Sequence, residues 1–569
     1  MWSFLKIYVR VAFLATSTTH TLPHLRVALP QNPPSSSAAA ATIAMSGRSC
    51  PTTEPVGEDT TVPPRMLHGL APETLNLHTE TMLTFLYSFL PKPPVSTITP
   101  LRCAATAIAD AESADRLSRL PDDLLRRVLS RLPAKDGART TVLSSRWRGL
   151  WRSAPLVLVD THFLSRGDAQ CRPARAGAVS RAVTNAVSAA LEAHPGPFPF
   201  VSLTCSFMDA ADRRMLARWF QILATKGVDE LVFVNRPWPL PGLPLPSSLF
   251  SCASLSRLCI GAWVFPNTTA LPRGAAFPNL RELVLGCIVM EDKDLEFLLA
   301  VSPVLQILAF HGSLASLHAR IANQSLRCAQ FCLSILEEVA VVNAPSLERL
   351  FLWRNWSERG RVGKMSTTVK IGHAPKLRVL GYLEPGVHIL QIGSTIIKAG
   401  TKASARTTVS SVQMLALQLH FGDRNQVKML PSFLRCFPNL DTLIIESFLE
   451  TTSNRSLKFW QGTSPIECVG SHLKTLSFCE LQGNDDEFDF IMFIVENAPK
   501  LERLIIQIKQ DLTYTERQMV VAKLGDLSCA SWANTNCKVR LEISGNPIGS
   551  SWSIEAGSDL SSDDPFSCL

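Results

Sequence analysis

The stretches Phe277-Pro-Asn-Leu-Arg-Glu-Leu283, Ala344-Pro-Ser-Leu-Glu-Arg-Leu350 and Ala498-Pro-Lys-Leu-Glu-Arg-Leu504 are three copies of one pattern in a chain of 569 residues. Each copy has a proline, a leucine two residues later and a second leucine three residues after that. In Leu283-Val-Leu285 the two leucines point to one side of a short strand, and Val284 points to the other. Because proline ends a preceding helix and fixes the entry turn, the pattern predicts one strand in each copy.

The pattern recurs along most of the chain and predicts a repeat architecture. It opens at ten positions, namely Val228, Leu255, Leu280, Leu305, Leu347, Leu377, Val412, Leu440, Leu473 and Leu501. Six openings have a proline two residues before them, namely Pro278, Pro303, Pro345, Pro375, Pro438 and Pro499. Helical stretches, such as those of residues 295–299 and 488–495, lie between the predicted strands. Since one strand–helix unit cannot bury its own apolar face, we expect the units to stack into an α/β solenoid with an open, curved, parallel sheet.

Upstream of the repeats, residues 115–152 predict three short helices. Apolar residues recur at three and four residues on one face of the first helix, namely Leu117, Leu120, Leu124, Val128 and Leu132. Pro121 suits the first helical position, and Pro133 ends the helix. Asp136 can cap a second helix, and Ser144 can cap a third that runs through Trp151. Three short helices rich in Leu and Trp expose more apolar surface than they bury, so a partner is expected.

Composition excludes several classes of protein. The net charge is +8, but Lys and Arg form no block dense enough to follow a phosphate backbone, so no nucleic-acid partner is expected. The 15 cysteines are scattered and odd in number, which favours reduced, buried thiols in the cytoplasm or nucleus over disulfides or a metal site.

No apolar run is long enough to cross a bilayer, so no membrane partner is expected. No phosphate loop, nucleophile elbow or dinucleotide turn is present, so we expect no catalytic residue and no cofactor.

The first 112 residues are expected to be mostly disordered. Residues 31–64 are rich in Pro, Ser, Ala and Thr and cannot build a core. Residues 1–30 have the composition of a transit or signal peptide, although Met45 is a plausible alternative start. Residues 82–90 predict either a short helix or a non-native extension, and residues 546–569 predict a disordered tail.

Taken together, the motif Leu120-Pro-Asp-Asp-Leu-Leu125 and the segment Leu143-Ser-Ser-Arg-Trp-Arg-Gly-Leu-Trp151 strongly resemble the F-box of the plant family that joins an F-box, leucine-rich repeats and an FBD region. The ten repeats match this family, and residues 471–508 are similar to its FBD region. The repeats depart from the regular form because the asparagine expected eight residues after each opening is almost always replaced. The implied organisation is a three-helix F-box at residues 113–153, irregular leucine-rich repeats at 154–460 and an FBD region with terminal repeats at 461–545.

The resemblance implies a substrate-recognition subunit of an SCF-type (Skp–cullin–F-box) ubiquitin ligase. In that family the F-box binds a Skp-type adaptor and, through it, a cullin, while the repeats bind a protein substrate for ubiquitination. The matching adaptor-binding positions are Leu120, Pro121, Leu124, Leu125, Val128, Leu129, Leu132, Leu143, Trp147 and Trp151. Some of these residues could instead close the bundle. The alternative function is a protein-binding scaffold that uses the repeats and engages no ligase.

The concave surface of the solenoid is the expected substrate-binding surface, because its side chains are not needed for the core. It is formed by the second and fourth residues after each opening. The candidate substrate-binding residues are Arg257, Glu282, Arg349, Phe351 and Arg503. This mixture of arginine and apolar side chains is typical of a protein-binding surface. The alternative is that the chain's own loops cover these positions.

Overall fold

The computed structural model describes residues 82–95, 117, 119–164, 173–235, 242–271, 273–313, 315–353, 366–448, 459–527, 530–543 and 553–566. The helices are α1 (Asp122–Leu129), α2 (Ala134–Arg139), α3 (Ser145–Ser153), α4 (Pro173–Ala193), α5 (Arg213–Thr225), α6 (Asp292–Val301), α7 (Arg424–Arg435), α8 (Glu467–Ser471), α9 (Asp485–Asn497), α10 (Tyr514–Asp526) and α11 (Ile554–Ser558). The strands are β1 (Val157–Val159), β2 (Phe200–Leu203), β3 (Glu230–Val234), β4 (Arg257–Gly261), β5 (Glu282–Gly286), β6 (Ile307–His311), β7 (Leu317–Ala322), β8 (Cys328–Cys332), β9 (Leu336–Asn343), β10 (Arg349–Trp353), β11 (Thr368–His373), β12 (Val379–Leu383), β13 (Ile389–Ile392), β14 (Thr395–Ile396), β15 (Met414–Leu419), β16 (Thr442–Ser447), β17 (Thr475–Leu481), β18 (Arg503–Ile508) and β19 (Lys538–Ile543).

The main sheet contains 14 strands in the described part of the chain, in the order β1-β2-β3-β4-β5-β6-β8-β10-β12-β15-β16-β17-β18-β19. Every neighbouring pair is parallel, as the repeats predict. All ten predicted openings are confirmed, because a strand begins two residues after each of them. Leu283 and Leu504 are fully buried in the main core, whereas Val284 lies in a separate apolar cluster on the other face of the sheet. This single sheet of parallel strands, with a linear strand order, is the sheet expected of the α/β solenoid.

One strand of the sheet, β8, falls inside the 42-residue gap between the openings at Leu305 and Leu347. Its repeat has Leu326 at the opening and Phe331 further on, but Ala329 stands where the other copies have leucine. Ala329 nevertheless pairs in register with Leu308 and Leu350 and is fully buried. The pattern missed this unit because alanine replaces the leucine that defined it.

A second sheet, in the order β14-β13-β11-β9-β7, covers the middle of the solenoid in place of helices. Its strands are parallel except for the β13–β14 pair. Burial along β7 alternates strictly between inward and outward residues, the period of a half-buried strand. Helical returns occur at α6 and α9, as predicted, whereas the strand returns of the middle repeats were not predicted.

Helices α1–α3 share one core with the repeats. Leu125, Leu129, Trp147 and Leu150 belong to the same buried cluster as the leucines of the sheet. The third helix is capped as predicted, because the amide of Trp147 donates to the hydroxyl of Ser144 at 3.3 Å. Two details of the sequence-based interpretation are wrong. Pro121 is the N-cap of α1, and α2 begins at Ala134, so that Asp136 lies in its first turn.

Two segments near the ends of the chain pack against the concave surface of the main sheet. We call residues 82–95 the N-terminal strap and residues 553–566 the C-terminal strap. The N-terminal strap begins with a helix at residues 82–87, and its Met82, Leu83 and Leu86 are buried. Phe566 of the C-terminal strap is buried in the same apolar cluster. The helix confirms the prediction of a short helix within residues 82–90, whereas the expected disorder of residues 546–569 is wrong for the C-terminal strap. The rest of residues 1–112 and 546–569 lies outside the described residues.

The N-terminal strap occupies space that two glycines leave open. Gly261 and Gly286 end neighbouring strands, and a β-carbon added at Gly286 would collide with the side chain of Leu86. Further along, the ring of Phe89 packs against the ring of His311 with centroids 4.4 Å apart. Both ring nitrogens of His311 are buried without a hydrogen-bond partner among the described residues. Burial lowers the pKa of His311 to about 3, so its ring is neutral in the folded chain at pH 7.

The leucine positions of the sheet should dominate stability. Leu283→Ala leaves a cavity in a fully buried site and is expected to lower the free energy of unfolding by about 2–5 kcal/mol. Leu541→Ala on β19 is the matched control, because this leucine is 54% exposed and should change stability far less. Urea titration followed by tryptophan fluorescence measures both variants. Equal losses would contradict the assignment of the core.

The neutral His311 should make the chain sensitive to acid. A histidine whose folded pKa is depressed stabilises the fold above its unfolded pKa, about 6.5, and this stabilisation is lost as the pH falls towards the folded value. When the pH is lowered from 6.5 to 5, the free energy of unfolding should therefore fall in both chains. The fall should be smaller in the His311→Leu variant than in the native chain, by up to about 2 kcal/mol. Urea titrations at several pH values check this difference, and parallel pH curves would show that His311 does not contribute.

Candidate functional site

Helix α1 presents two different apolar faces. Leu125 and Leu129 are fully buried in the core, whereas Leu124 is 43% exposed and Val128 is 39% exposed. Residues four apart share one side of a helix, so Leu124 and Val128 form one outward apolar face. Both pairs were candidates for adaptor binding on sequence grounds. Of these four residues, only Leu124 and Val128 lie on a surface that a partner could cover.

The other adaptor candidates also divide into buried and exposed residues. Trp147 is buried in the core, and three more candidates are partly buried against that core, namely Leu120, Leu132 and Trp151. Pro121 is exposed at the start of α1. Leu143 is 65% exposed, beside Val142, which is 84% exposed and was not among the candidates. Sequence periodicity did not identify Val142, because it lies in a 3₁₀ helix of one turn, Thr140–Val142, which is too short to show a periodic apolar face.

An ion pair fixes the outward face of α1 relative to α3. The guanidinium of Arg146 donates to the Oδ1 atom of Asp122 at 2.7 and 2.9 Å and to the backbone oxygen of Leu120 at 2.7 Å. The arginine therefore holds the first turn of α1 at two neighbouring points. Because the pair is substantially exposed, its value is in orientation more than in stability.

The concave surface is open at some candidate positions and covered at others. Arg257 is half-buried and forms ion pairs with Glu230 at 2.9 Å and with Glu282 at 2.7 Å, which links β3, β4 and β5. Arg503 is exposed near the far end of the sheet and donates to the hydroxyl of Thr475 at 3.2 Å. Substrate binding at these positions stays a prediction.

Two of the candidate substrate-binding residues do not lie on an open surface. Arg349 is only 4% exposed and donates hydrogen bonds to backbone carbonyls of the C-terminal strap. Phe351 is fully buried, and its ring contacts that of Phe566. The expectation of exposed side chains at Arg349 and Phe351 is therefore wrong. At these two positions the alternative is confirmed, because a segment of the same chain, the C-terminal strap, covers the concave surface.

The described residues show no assembled metal site, and two of their cysteines are buried on one strand, β8. They contain no cluster of three His, Cys, Asp or Glu side chains able to hold a metal ion. Burial raises the pKa of the Cys328 thiol to about 12 and raises the pKa of the Cys332 thiol well above its usual value, so neither thiol is a nucleophile at neutral pH. Among these residues, no helix is both long enough and apolar enough to span a membrane.

Comparison with known proteins identifies three successive regions. The family profile for the F-box domain matches residues 117–158. The profile described as "FBD-associated F-box protein At5g56370, LRR repeats" matches residues 216–445, and the FBD profile matches residues 461–506. These matches fall on α1–α3, on the repeats and on the α8–β18 region, in the order that the resemblance implies.

Similar full-length proteins occur in Arabidopsis thaliana. The chain is 26% identical over 453 residues to the FBD-associated F-box protein At4g10400, a match that covers 75% of this chain and 99% of that protein. It is 24% identical over 461 residues to F-box/LRR-repeat protein 13, covering 74% of this chain and 96% of the relative. It is 22% identical over 458 residues to the putative FBD-associated F-box protein At1g05080, covering 74% and 97%.

Proposed function

Because this chain belongs to the plant family of F-box, leucine-rich-repeat and FBD proteins, we propose that it is a substrate-recognition subunit of an SCF-type ubiquitin ligase. Its F-box would bind a Skp-type adaptor, which in turn binds a cullin. Its repeats would hold a protein substrate close to the ubiquitin-transfer machinery. The F-box and the repeats are the parts that this role requires.

The observation that carries the proposal is the outward apolar face of α1. Leu124 and Val128 are well exposed although they stand beside two fully buried leucines of the same helix. Exposing such side chains to water costs free energy that burial against a partner helix recovers. The ion pair between Arg146 and Asp122 orients this face in advance, so little order has to be gained on binding.

We also propose that the chain contributes no catalytic group of its own. In this role it accelerates ubiquitin transfer by proximity and orientation, and the reacting groups belong to other subunits. We propose further that it acts in the cytoplasm or nucleus. Support comes from its cysteines, since all those of the described residues are free thiols and most of them are buried.

Adaptor binding can be tested on the outward face alone. The double variant Leu124→Ala and Val128→Ala is expected to weaken adaptor binding at least about 10-fold, because buried interface anchors commonly contribute 2 kcal/mol or more. Co-purification with a Skp-type adaptor and a titration by biolayer interferometry measure the change. The melting temperature should stay close to that of the native chain, since neither side chain belongs to the core.

A matched control lies on α10, where Met519 and Val521 are similarly exposed. The double variant Met519→Ala and Val521→Ala should bind the adaptor like the native chain. Undiminished binding by the α1 variant would contradict the assigned surface. Adaptor binding without any associated cullin would favour the alternative role of a protein-binding scaffold.

Substrate binding at the open part of the concave surface is tested most cleanly at Arg503. The substitution Arg503→Glu reverses an exposed charge and, among the described residues, breaks one side-chain hydrogen bond, so the fold should be retained. We expect weaker capture of substrate and unchanged adaptor binding. Proximity labelling in plant cells, with and without proteasome inhibition, measures capture and also reports the compartment. An unchanged set of labelled proteins would exclude this position from the substrate site.

A further inference from the structure

The C-terminal strap lies on the sheet like a bound peptide. Most of its side chains are partly or fully exposed to solvent, and burial is confined to Gly557 at one point and to Pro565 and Phe566 at another. A segment that belonged to the core would bury apolar side chains along its whole length. Two anchors separated by an exposed stretch are typical of a peptide seated in a groove.

The first anchor is formed by the backbone of the strap. The guanidinium of Arg349 donates to the carbonyl oxygens of Gly557 at 3.2 Å, of Asp559 at 2.9 Å and of Ser562. Within the described residues, Arg349 forms no ion pair with a carboxylate. A buried charge without partners is strongly destabilising, so this position on β10 requires acceptors supplied from above the sheet.

A glutamine on the neighbouring strand extends the first anchor. The side-chain amide of Gln330 donates to the hydroxyl of Ser558 at 2.6 Å and to the carbonyl oxygen of Ile554 at 3.3 Å. Arg349 and Gln330 together form hydrogen bonds with the short helix α11 and with the extended residues that follow it. Most of these hydrogen bonds go to main-chain atoms, so they fix the path of the segment without specifying most of its side chains.

The second anchor is an aromatic side chain. The ring of Phe566 meets those of Phe351 and Tyr382 edge-on, each with a centroid distance of 6.0 Å. Phe566 is 2% exposed and joins the apolar cluster on the concave surface. An edge-to-face arrangement with two rings is a favourable and directional contact, so this site selects an aromatic residue.

The C-terminal strap is acidic, and the surface beside it is mainly basic. The strap contains four acidic residues, Glu555, Asp559, Asp563 and Asp564, and no lysine or arginine. Beneath its edge a cavity of about 460 Å³ is lined by several basic side chains, namely Arg327, Arg349, Lys376 and Arg378, together with Glu348 and Asp563. The Asp563–Arg378 pair, at 3.6 Å, is exposed and contributes little by itself. The summed field of the basic side chains nevertheless favours an acidic segment.

We propose that the concave surface of β8, β10 and β12 is a peptide-binding site for acidic segments that end in an aromatic anchor, and that the C-terminal strap is its intramolecular occupant. A substrate segment of the same chemistry binds by displacing the strap. This inference rests on the proposed function, which gives the repeats a substrate to hold. The tether gives the strap an effective concentration of the order of millimolar, so displacement needs a ligand that binds more tightly than the strap or is itself held nearby.

The test uses a fluorescein-labelled peptide of residues 553–566 as the probe. The full chain carrying Phe566→Ala loses its own aromatic anchor and should bind the peptide at least 10-fold more tightly than the native chain in fluorescence anisotropy. Ser561→Ala in the full chain is the matched control. Within the described residues the hydroxyl of Ser561 donates its hydrogen bond to Asp559 of the strap itself, so the substitution should leave peptide binding as in the native chain. Adding Arg349→Ala to the Phe566→Ala chain should abolish binding.

Two altered peptides test the proposed ligand chemistry. A peptide with Phe566→Ala should bind the Phe566→Ala chain at least 10-fold more weakly than the original peptide. A peptide with its four acids replaced by their amides should bind several-fold more weakly at low salt and show less dependence on salt. Equal binding of all three peptides would overturn the assignment of ligand class.

A measurement on the native chain keeps the inference testable if a variant fails to fold. In hydrogen exchange, the amides of the strap should exchange through local opening, far faster than those of β10. Strap amides that exchange only with global unfolding would overturn the inference, as would a folded Phe566→Ala chain that binds no peptide. Adaptor binding is measured on the same preparations. Peptide binding without adaptor binding would reject the proposed ligase role and leave the peptide site intact.

Discussion

The register of one leucine position across the sheet is the constraint on which the rest of the structure depends. From Leu231 to Leu504 this residue pairs with its counterpart on the next strand, and Ala329 takes its place on β8. A shift of one residue would turn every apolar side chain to the opposite face, so burial of this row fixes all the registers together. With Leu326 counted as an opening, the spacing between neighbouring openings varies from 21 to 35 residues, and this variation is tolerated because the connections lie outside the row.

The same register explains why the concave surface needs a cover. Parallel sheets are generally buried on both faces, and here the positions facing away from the core are also apolar, such as Cys259, Val284 and Phe351. The N-terminal strap covers the first strands, and the C-terminal strap covers the middle ones. The N-terminal strap is apolar and buries Met82, Leu83 and Leu86, whereas the C-terminal strap is acidic and is buried only at its two anchors.

Sequence reasoning succeeded where local pattern decides the structure. Ten strands and the Ser144 cap followed from spacing, because a strand's period and a cap's hydrogen bond involve only neighbouring residues. It failed where distant segments meet. The residues around Phe566 do not predict its contact with the aromatic rings on β10 and β12. Likewise, the sequence around Gly286 does not predict that the side chain of Leu86 will occupy the space beside it. On α1 the period located the helix but could not tell which leucines face the core, since Leu124 and Leu125 are chemically equal.

The common core of the F-box and the repeats turns the sheet into a spacer of fixed length. Strand β1 follows the F-box directly and is tied to it by a bridge between Pro133 and Val157. From β1 to β10 there are seven strand intervals, or roughly 34 Å along the sheet at about 4.8 Å each. The distance between the F-box and a ligand bound above β10 is therefore set by the number of strands between them. Gain or loss of one repeat would change this distance by one strand interval.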